Sequence, residues 1–213
     1  MFSIKKSLIS AFILSASFGG TALAEEHKGF YLTAGGGVNQ INDIDWNETI
    51  SGTKYTGDVE IAPDFSIDAG IGYDFGKLRT EVTYQNIPGD LDTMSAEKVI
   101  GSVGVTTSAN ADVDITSWFT TLYYDLPEYQ IRKKLLVPYI GAGLGRSTID
   151  IGTITVDGVS TAGGDDDVWA YQLKLGTSYE MNEKADLYVE GVYFETSDFE
   201  IIGTNLNPKK TGI

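Results

Sequence analysis

Phe65-Ser66-Ile67-Asp68-Ala69-Gly70-Ile71-Gly72-Tyr73-Asp74-Phe75-Gly76 divides into two faces. Successive side chains of a strand point to opposite sides, so Phe65, Ile67, Ala69, Ile71, Tyr73 and Phe75 share one face. Ser66, Asp68, Gly70, Gly72, Asp74 and Gly76 share the other. One face is wholly apolar and the other polar or bare. A soluble sandwich strand could alternate too, but here the pattern recurs along the whole chain. Strand structure crosses lipid only as a closed barrel, because every backbone N–H and C=O must find a partner away from water.

Working outward from that segment, seven strands are expected. They lie at about 29–39, 65–75, 78–85, 112–126, 136–149, 169–180 and 185–195. Gly76-Lys77, a stretch containing Arg132-Lys133-Lys134, and Met181-Asn182-Glu183-Lys184 are short connections. Segments 40–64, 86–111 and 146–167 are long, polar and expected to be flexible. Bacterial barrels have short periplasmic turns and longer external loops, so this alternation sets an orientation with the acidic connections outside. Tyr73-Asp74 before Leu78-Arg79-Thr80-Glu81 is echoed by Tyr179-Glu180 before Leu187-Tyr188-Val189-Glu190, as repeated hairpins around one cylinder would produce.

Residues 1–24 have the three regions of a cleavable secretory signal. Lys5 and Lys6 precede an apolar stretch from Leu8 to Phe18, and Ala22-Leu23-Ala24 is followed by Glu25-Glu26. The apolar part is too short to span a bilayer as a helix. With no Cys after that site, no lipoprotein anchor is expected. The barrel domain is then 25–213, about 189 residues and one domain.

Removing 1–24 leaves 13 basic and 30 acidic residues, a net charge of −17. Nothing so acidic neutralises phosphates, so nucleic acid is excluded as a partner. Cys is absent from a chain sent to an oxidising compartment, so stability has to come from something other than disulfides, such as a complete hydrogen-bonded cylinder.

Several motifs carry a resemblance. They are Gly29-Phe30-Tyr31 opening a strand, Gly70-Ile71-Gly72-Tyr73-Asp74-Phe75, and Tyr123-Tyr124-Asp125-Leu126 closing one. To these add Pro138-Tyr139-Ile140-Gly141-Ala142-Gly143-Leu144-Gly145. With them the chain resembles the outer-membrane β-barrel domain family, the small eight-stranded OmpA-, OmpX- and Opa-like barrels, over almost its whole length after residue 24. The resemblance implies an all-β, antiparallel up-and-down transmembrane barrel of eight strands in a Gram-negative outer membrane. It also implies outer-membrane lipid, lipopolysaccharide and the barrel-assembly machinery as partners, with host or surface ligands reached through the outer loops. The family normally ends in a strand with an aromatic last residue. Gly203 to Ile213 does not alternate, so the eighth strand is expected to be poor or missing at the carboxyl end, as in a fragment.

No catalytic constellation is expected. His27 is the only His, Cys is absent, and the Ser residues have no His to activate them. Ala34-Gly35-Gly36-Gly37 lies inside a strand rather than opening a helix, so it is no phosphate loop; no cofactor is expected. The sharper signal is charge on the inner face: Asp68, Arg79, Glu81, Lys174 and Glu190. An eight-stranded barrel is just wide enough to be filled by its own side chains. Charges buried there are expected to pair, with Arg79 and Lys174 neutralising Glu81 and Glu190. Asp43 with Asp45, and Asp165-Asp166-Asp167, are candidate divalent-cation loops, although Glu48 and Lys54 occupy the Gly and Glu positions of a calcium loop. The expected function is a non-enzymatic surface protein with a filled lumen, for envelope structure or adhesion; the alternative is a narrow porin.

Overall fold

Alternation dictates strands, and in the computed structural model eight of them form the wall. They are β1 Ser10–Thr21, β2 Gly29–Ile41, β3 Asp64–Asp74, β4 Leu78–Lys98, β5 Asp112–Asp125, β6 Lys134–Ile151, β7 Gly164–Asn182 and β8 Ala185–Thr196. The structure describes residues 2–7, 10–21, 28–42, 44–50, 53–98, 104–107, 109–110, 112–131, 134–156, 159–182, 185–197 and 199–203. Side chains are described within 13–19, 28–42, 62–89, 112–130, 135–153, 162–182 and 185–197. Each wall strand pairs antiparallel with the next, and β8 pairs with β1. The sheet is therefore a closed eight-stranded ring, with no unpaired edge in the wall.

The outer face is apolar between two aromatic girdles. Phe30, Phe75, Tyr124 and Tyr179 are exposed near the end with short connections; Phe65, Trp118, Trp169 and Tyr171 near the other. Between them Leu32, Ile71, Val82, Leu122, Ile140, Leu144, Leu173, Leu175 and Val189 face outward. Eight to ten residues separate the girdles on β7. At ~3.4 Å per residue and a tilt of about 40°, that is a band of roughly 20–26 Å, which matches the lipid-facing band of outer-membrane barrels.

The eighth strand corrects an expectation. It is not a poor last strand at the carboxyl end: the closing place is taken by Ser10–Thr21, the apolar core of the expected signal. This segment also alternates. Ile13, Ser15 and Ser17 are buried inside, while Leu14 and Phe18 are exposed outside. Its small inner side chains let β2 come close: a Cβ at Gly35 would collide with Ser17, and one at Gly37 with Ser15 and the Leu14 carbonyl.

The long connections correct a second one. They carry strands of their own: Ile44–Ile50 pairs with Thr53–Ile61, which pairs with the far end of β4, which pairs with Gly104–Thr107. Ile154–Val156 pairs with Val159–Thr161 and with Ala109–Asn110. The wall strands simply continue: β7 begins at Gly164, so Asp165, Asp166 and Asp167 lie in a strand rather than a loop.

Candidate functional site: the filled lumen

The lumen is built in two layers. Toward the long connections it is mainly apolar: Ile13, Ile41, Ile87, Ile115, Ile149 and Phe194 are 0% exposed, with the neutral Asn39, Ser117, Ser147 and Thr196 buried among them. Phe119 meets Phe194 edge-on with ring centroids 5.9 Å apart. This corrects the picture of an inner face polar from end to end. Inward Ile and Val residues of β4, β5, β6 and β8 share strand parity with charged or polar neighbours below, and parity alone does not show where one layer gives way to the other.

The lower layer holds the charges. Asp68, Arg79, Glu81, Lys174 and Glu190 line one cavity together with Ser17, Thr33, Tyr123, Tyr139 and Tyr188. The cavity measures about 10 Å³, room for roughly one water. Two ion pairs organise the layer. Lys174 Nζ lies 2.8 Å from Glu190 Oε1, and Glu190 also accepts from Tyr139 Oη at 2.9 Å and Ser15 Oγ at 3.4 Å. Arg79 pairs with Asp125 rather than with Glu81: Nη2 donates to Oδ1 at 2.8 Å and Nε to Oδ2 at 3.0 Å. Glu81 instead accepts from Thr83 Oγ1 at 2.8 Å and Tyr123 Oη at 3.4 Å.

The physical reason is geometric. Arg79 and Glu81 are two residues apart on one strand, so their side chains leave the wall in parallel. Asp125 lies diagonally across on β5, two residues beyond Tyr123, the partner opposite Arg79. Lys174 and Glu190 are diagonal neighbours in the same way on β7 and β8. Diagonal cross-strand pairs are within reach of long side chains, and a guanidinium matches a carboxylate with two parallel bonds.

Four tyrosines enclose Arg79. Its Cζ lies 4.9 Å from the Tyr139 ring centroid, 5.0 Å from Tyr123, 5.4 Å from Tyr188 and 6.0 Å from Tyr31. Each ring lies over an inner-face glycine of the adjacent strand: Tyr31 over Gly72, Tyr123 over Gly141, Tyr139 over Gly176 and Tyr188 over Gly19. A Cβ at any of the four would run into the ring. Sequence reading missed these tyrosines and Asp125. The signal was present, since Tyr123 and Asp125 have the parity of the inner face and Tyr139 shares the parity of Gly141 and Gly143. Higher up, Gln172 Nε2 donates to Thr121 Oγ1 at 2.8 Å, and the Ser117 and Ser147 hydroxyls lie 2.7 Å apart.

The candidate cation loops are not brought together. Asp43 lies outside the described residues. Asp45 lies in the strand Ile44–Ile50, and its side chain is outside the described ones. Asp165 and Asp167 face outward, and Asp167 Oδ1 accepts from Thr148 Oγ1 at 2.6 Å. Asp166 has the opposite parity. Among the described residues no group of three or more His, Asp or Glu is arranged to hold a metal ion.

Comparison with solved structures finds the translocator domain of autotransporter NalP from Neisseria meningitidis, at 10% identity and TM-score 0.30 over 88% of each chain. It also finds OpdQ of Pseudomonas aeruginosa, at 10% identity and TM-score 0.12 over 93% of this chain and 98% of that one. Similarity at this level carries no argument about function. No curated protein matches the chain. Residues 10–213 match the family model described as the outer membrane protein beta-barrel domain, so this closed antiparallel barrel belongs to that family, whose place is the outer membrane of Gram-negative bacteria.

Proposed function

We propose that the chain is a non-enzymatic surface barrel whose lumen is a structural plug and whose work is done by the sheet extending beyond the membrane. Export by residues 1–24, assembly by the barrel-assembly machinery and an orientation with the long connections outside belong to this reading. The observation that carries it is the double closure of the lumen. A charge layer with two ion pairs and space for about one water lies beneath a mainly apolar layer built around fully buried Ile and Phe. An ion crossing that layer would lose its hydration and meet only a few neutral hydroxyl and amide groups, with no charged partner there. The extension supports the second half of the proposal. A strand needs about 9–11 residues to cross, and β4 has 21, β7 19 and β6 18. Envelope structure or adhesion through this extension fits better than passage through the centre.

Planar-bilayer recording is the direct test. The purified barrel is expected to give no steady conductance; reproducible long-lived openings would replace this reading with a narrow porin.

A further inference from the structure

Two opposite charges face outward near the upper girdle, each without a countercharge. Arg146 is exposed, and its Cζ lies 5.1 Å from the Trp169 ring centroid. Glu195 is partly exposed and accepts from the Tyr193 hydroxyl at 2.5 Å and from the Tyr171 hydroxyl, both neutral donors. Asp167, diagonal to Arg146, accepts from Thr148 instead. Among the described residues Arg146 pairs with no carboxylate and Glu195 with no cation.

Register fixes where the two stand. Arg146 lies opposite Trp169 and Glu195 opposite Tyr171, so they are two strands and one outward row apart. The rows climb from β5 toward β7. Tyr124 and Tyr179 both belong to the lower girdle, yet the row of Tyr124 runs through Ile140 to Leu175, four residues above Tyr179. At a strand tilt of about 40°, a climb of roughly 6 Å over two strands offsets the drop of about 5 Å over one row. Arg146 and Glu195 therefore stand at nearly the same depth, about 12 Å apart around the wall.

That arrangement is self-complementary. A two-fold axis along the membrane normal, midway between them, sets Arg146 of each copy against Glu195 of the other and closes two equal ion pairs. The same geometry brings Leu144 and Tyr171 to within about 2–3 Å of the axis. Beside them runs a shallow apolar groove lined by Thr80, Thr120, Leu122, Ala142, Leu144 and Leu173. Lipid tails are as apolar as leucine, so barrels associate in a bilayer through shape and polar pairs rather than through burial. Here the groove supplies the shape and the two charges supply the pairs. Asp150 and Asp165, two rows beyond Arg146, lean away from the axis with the strand tilt, so the acidic rims diverge. We infer that the outer face of β6, β7 and β8 docks a second copy of this chain, in a two-fold dimer held by reciprocal Arg146–Glu195 pairs. The contact is the same whichever end of the barrel faces outward and whichever strand fills the eighth place.

The test uses protein extracted from outer membranes in a nonionic detergent, with its mass read by sedimentation equilibrium in density-matched micelles. A dimer is expected; a monomer even at low micelle excess overturns the inference and needs no variant. Arg146→Glu or Glu195→Arg alone should weaken self-association roughly a hundredfold, about tenfold for each of two equivalent contacts. Mixing the two variants is the decisive arm, because opposite charges then face each other across the axis again. Tagged Arg146→Glu protein should co-purify with untagged Glu195→Arg protein far better than with its own untagged form, a rescue that pairing within one chain cannot give. Only variants of unchanged heat-modifiable mobility are compared. Where a reversal does not fold, Arg146→Gln and Glu195→Gln take its place and should also weaken the dimer. A dimer that neither variant weakens, or mixed chains that associate no better than each variant alone, overturns the inference.

Discussion

Arg79 holds a two-bond fork to Asp125 and is enclosed by four phenol rings at 4.9–6.0 Å. Removing one member of a buried pair leaves the other charge uncompensated, at a cost of about 3–5 kcal/mol. Asp125 keeps 15% exposure, so the lower end is expected. Arg79→Ala should therefore lower the thermal unfolding midpoint in detergent. Asp125→Asn in that background should restore part of the loss, and Glu81→Gln should not, because Glu81 is held by Thr83 and Tyr123. An unchanged midpoint in Arg79→Ala would mean that these side chains are hydrated, and would favour the porin. Parity was enough to turn Arg79 inward; its partner depended on the stagger between β4 and β5, which no single strand reveals.

At the scale of elements, β4 decides how the outside is built. It leaves the lipid band near Tyr84 and continues to Lys98, with Thr53–Ile61 and Gly104–Thr107 paired on its two sides. Backbone paired in this way resists proteolysis except where the chain turns. Trypsin on intact cells is therefore expected to cut after Lys98, at the end of β4, and to spare Arg132, Lys133 and Lys134. Arg132 and Lys133 fall in the sequence between β5 and β6, and Lys134 opens β6; with the connections alternating from end to end, all three should be cut only after the outer membrane is opened. Cleavage at 132–134 on intact cells with Lys98 spared would turn the barrel over. The strands in the long connections left a signal that went unread: Tyr55, Val59 and Ile61 share one face of Thr53–Ile61, while Lys54, Thr56, Asp58 and Glu60 share the other. Pairing with β4 supplies the backbone partners.

For the whole molecule the decisive contact is β8 with β1. Residues 10–21 have the apolar run of a leader and also the inward Ser and outward Leu and Phe of a wall strand. Cleavage after Ala24, as proposed, would take β1 away and leave β2 and β8 facing each other across an open seam in lipid. Unpaired strand edges are not tolerated there. A processed chain therefore closes only when another antiparallel strand takes that place, with side chains as small as Ser15 and Ser17 against Gly35 and Gly37. The intact mass of protein extracted from outer membranes should lack residues 1–24 while its mobility stays heat-modifiable. A mass that includes them would mean that the leader remains as a wall strand.

Strand identity, face and barrel class were legible in the sequence because a period of two is a local property, read within ten residues. The inward placement of Asp68, Arg79, Glu81, Lys174 and Glu190 was legible for the same reason. The Arg79–Asp125 pairing, the tyrosines seated on glycines, the apolar upper lumen and the occupant of the eighth place were not. Each depends on the register between strands far apart in the chain, and register is set only when the ring closes and every inner side chain must share one narrow lumen.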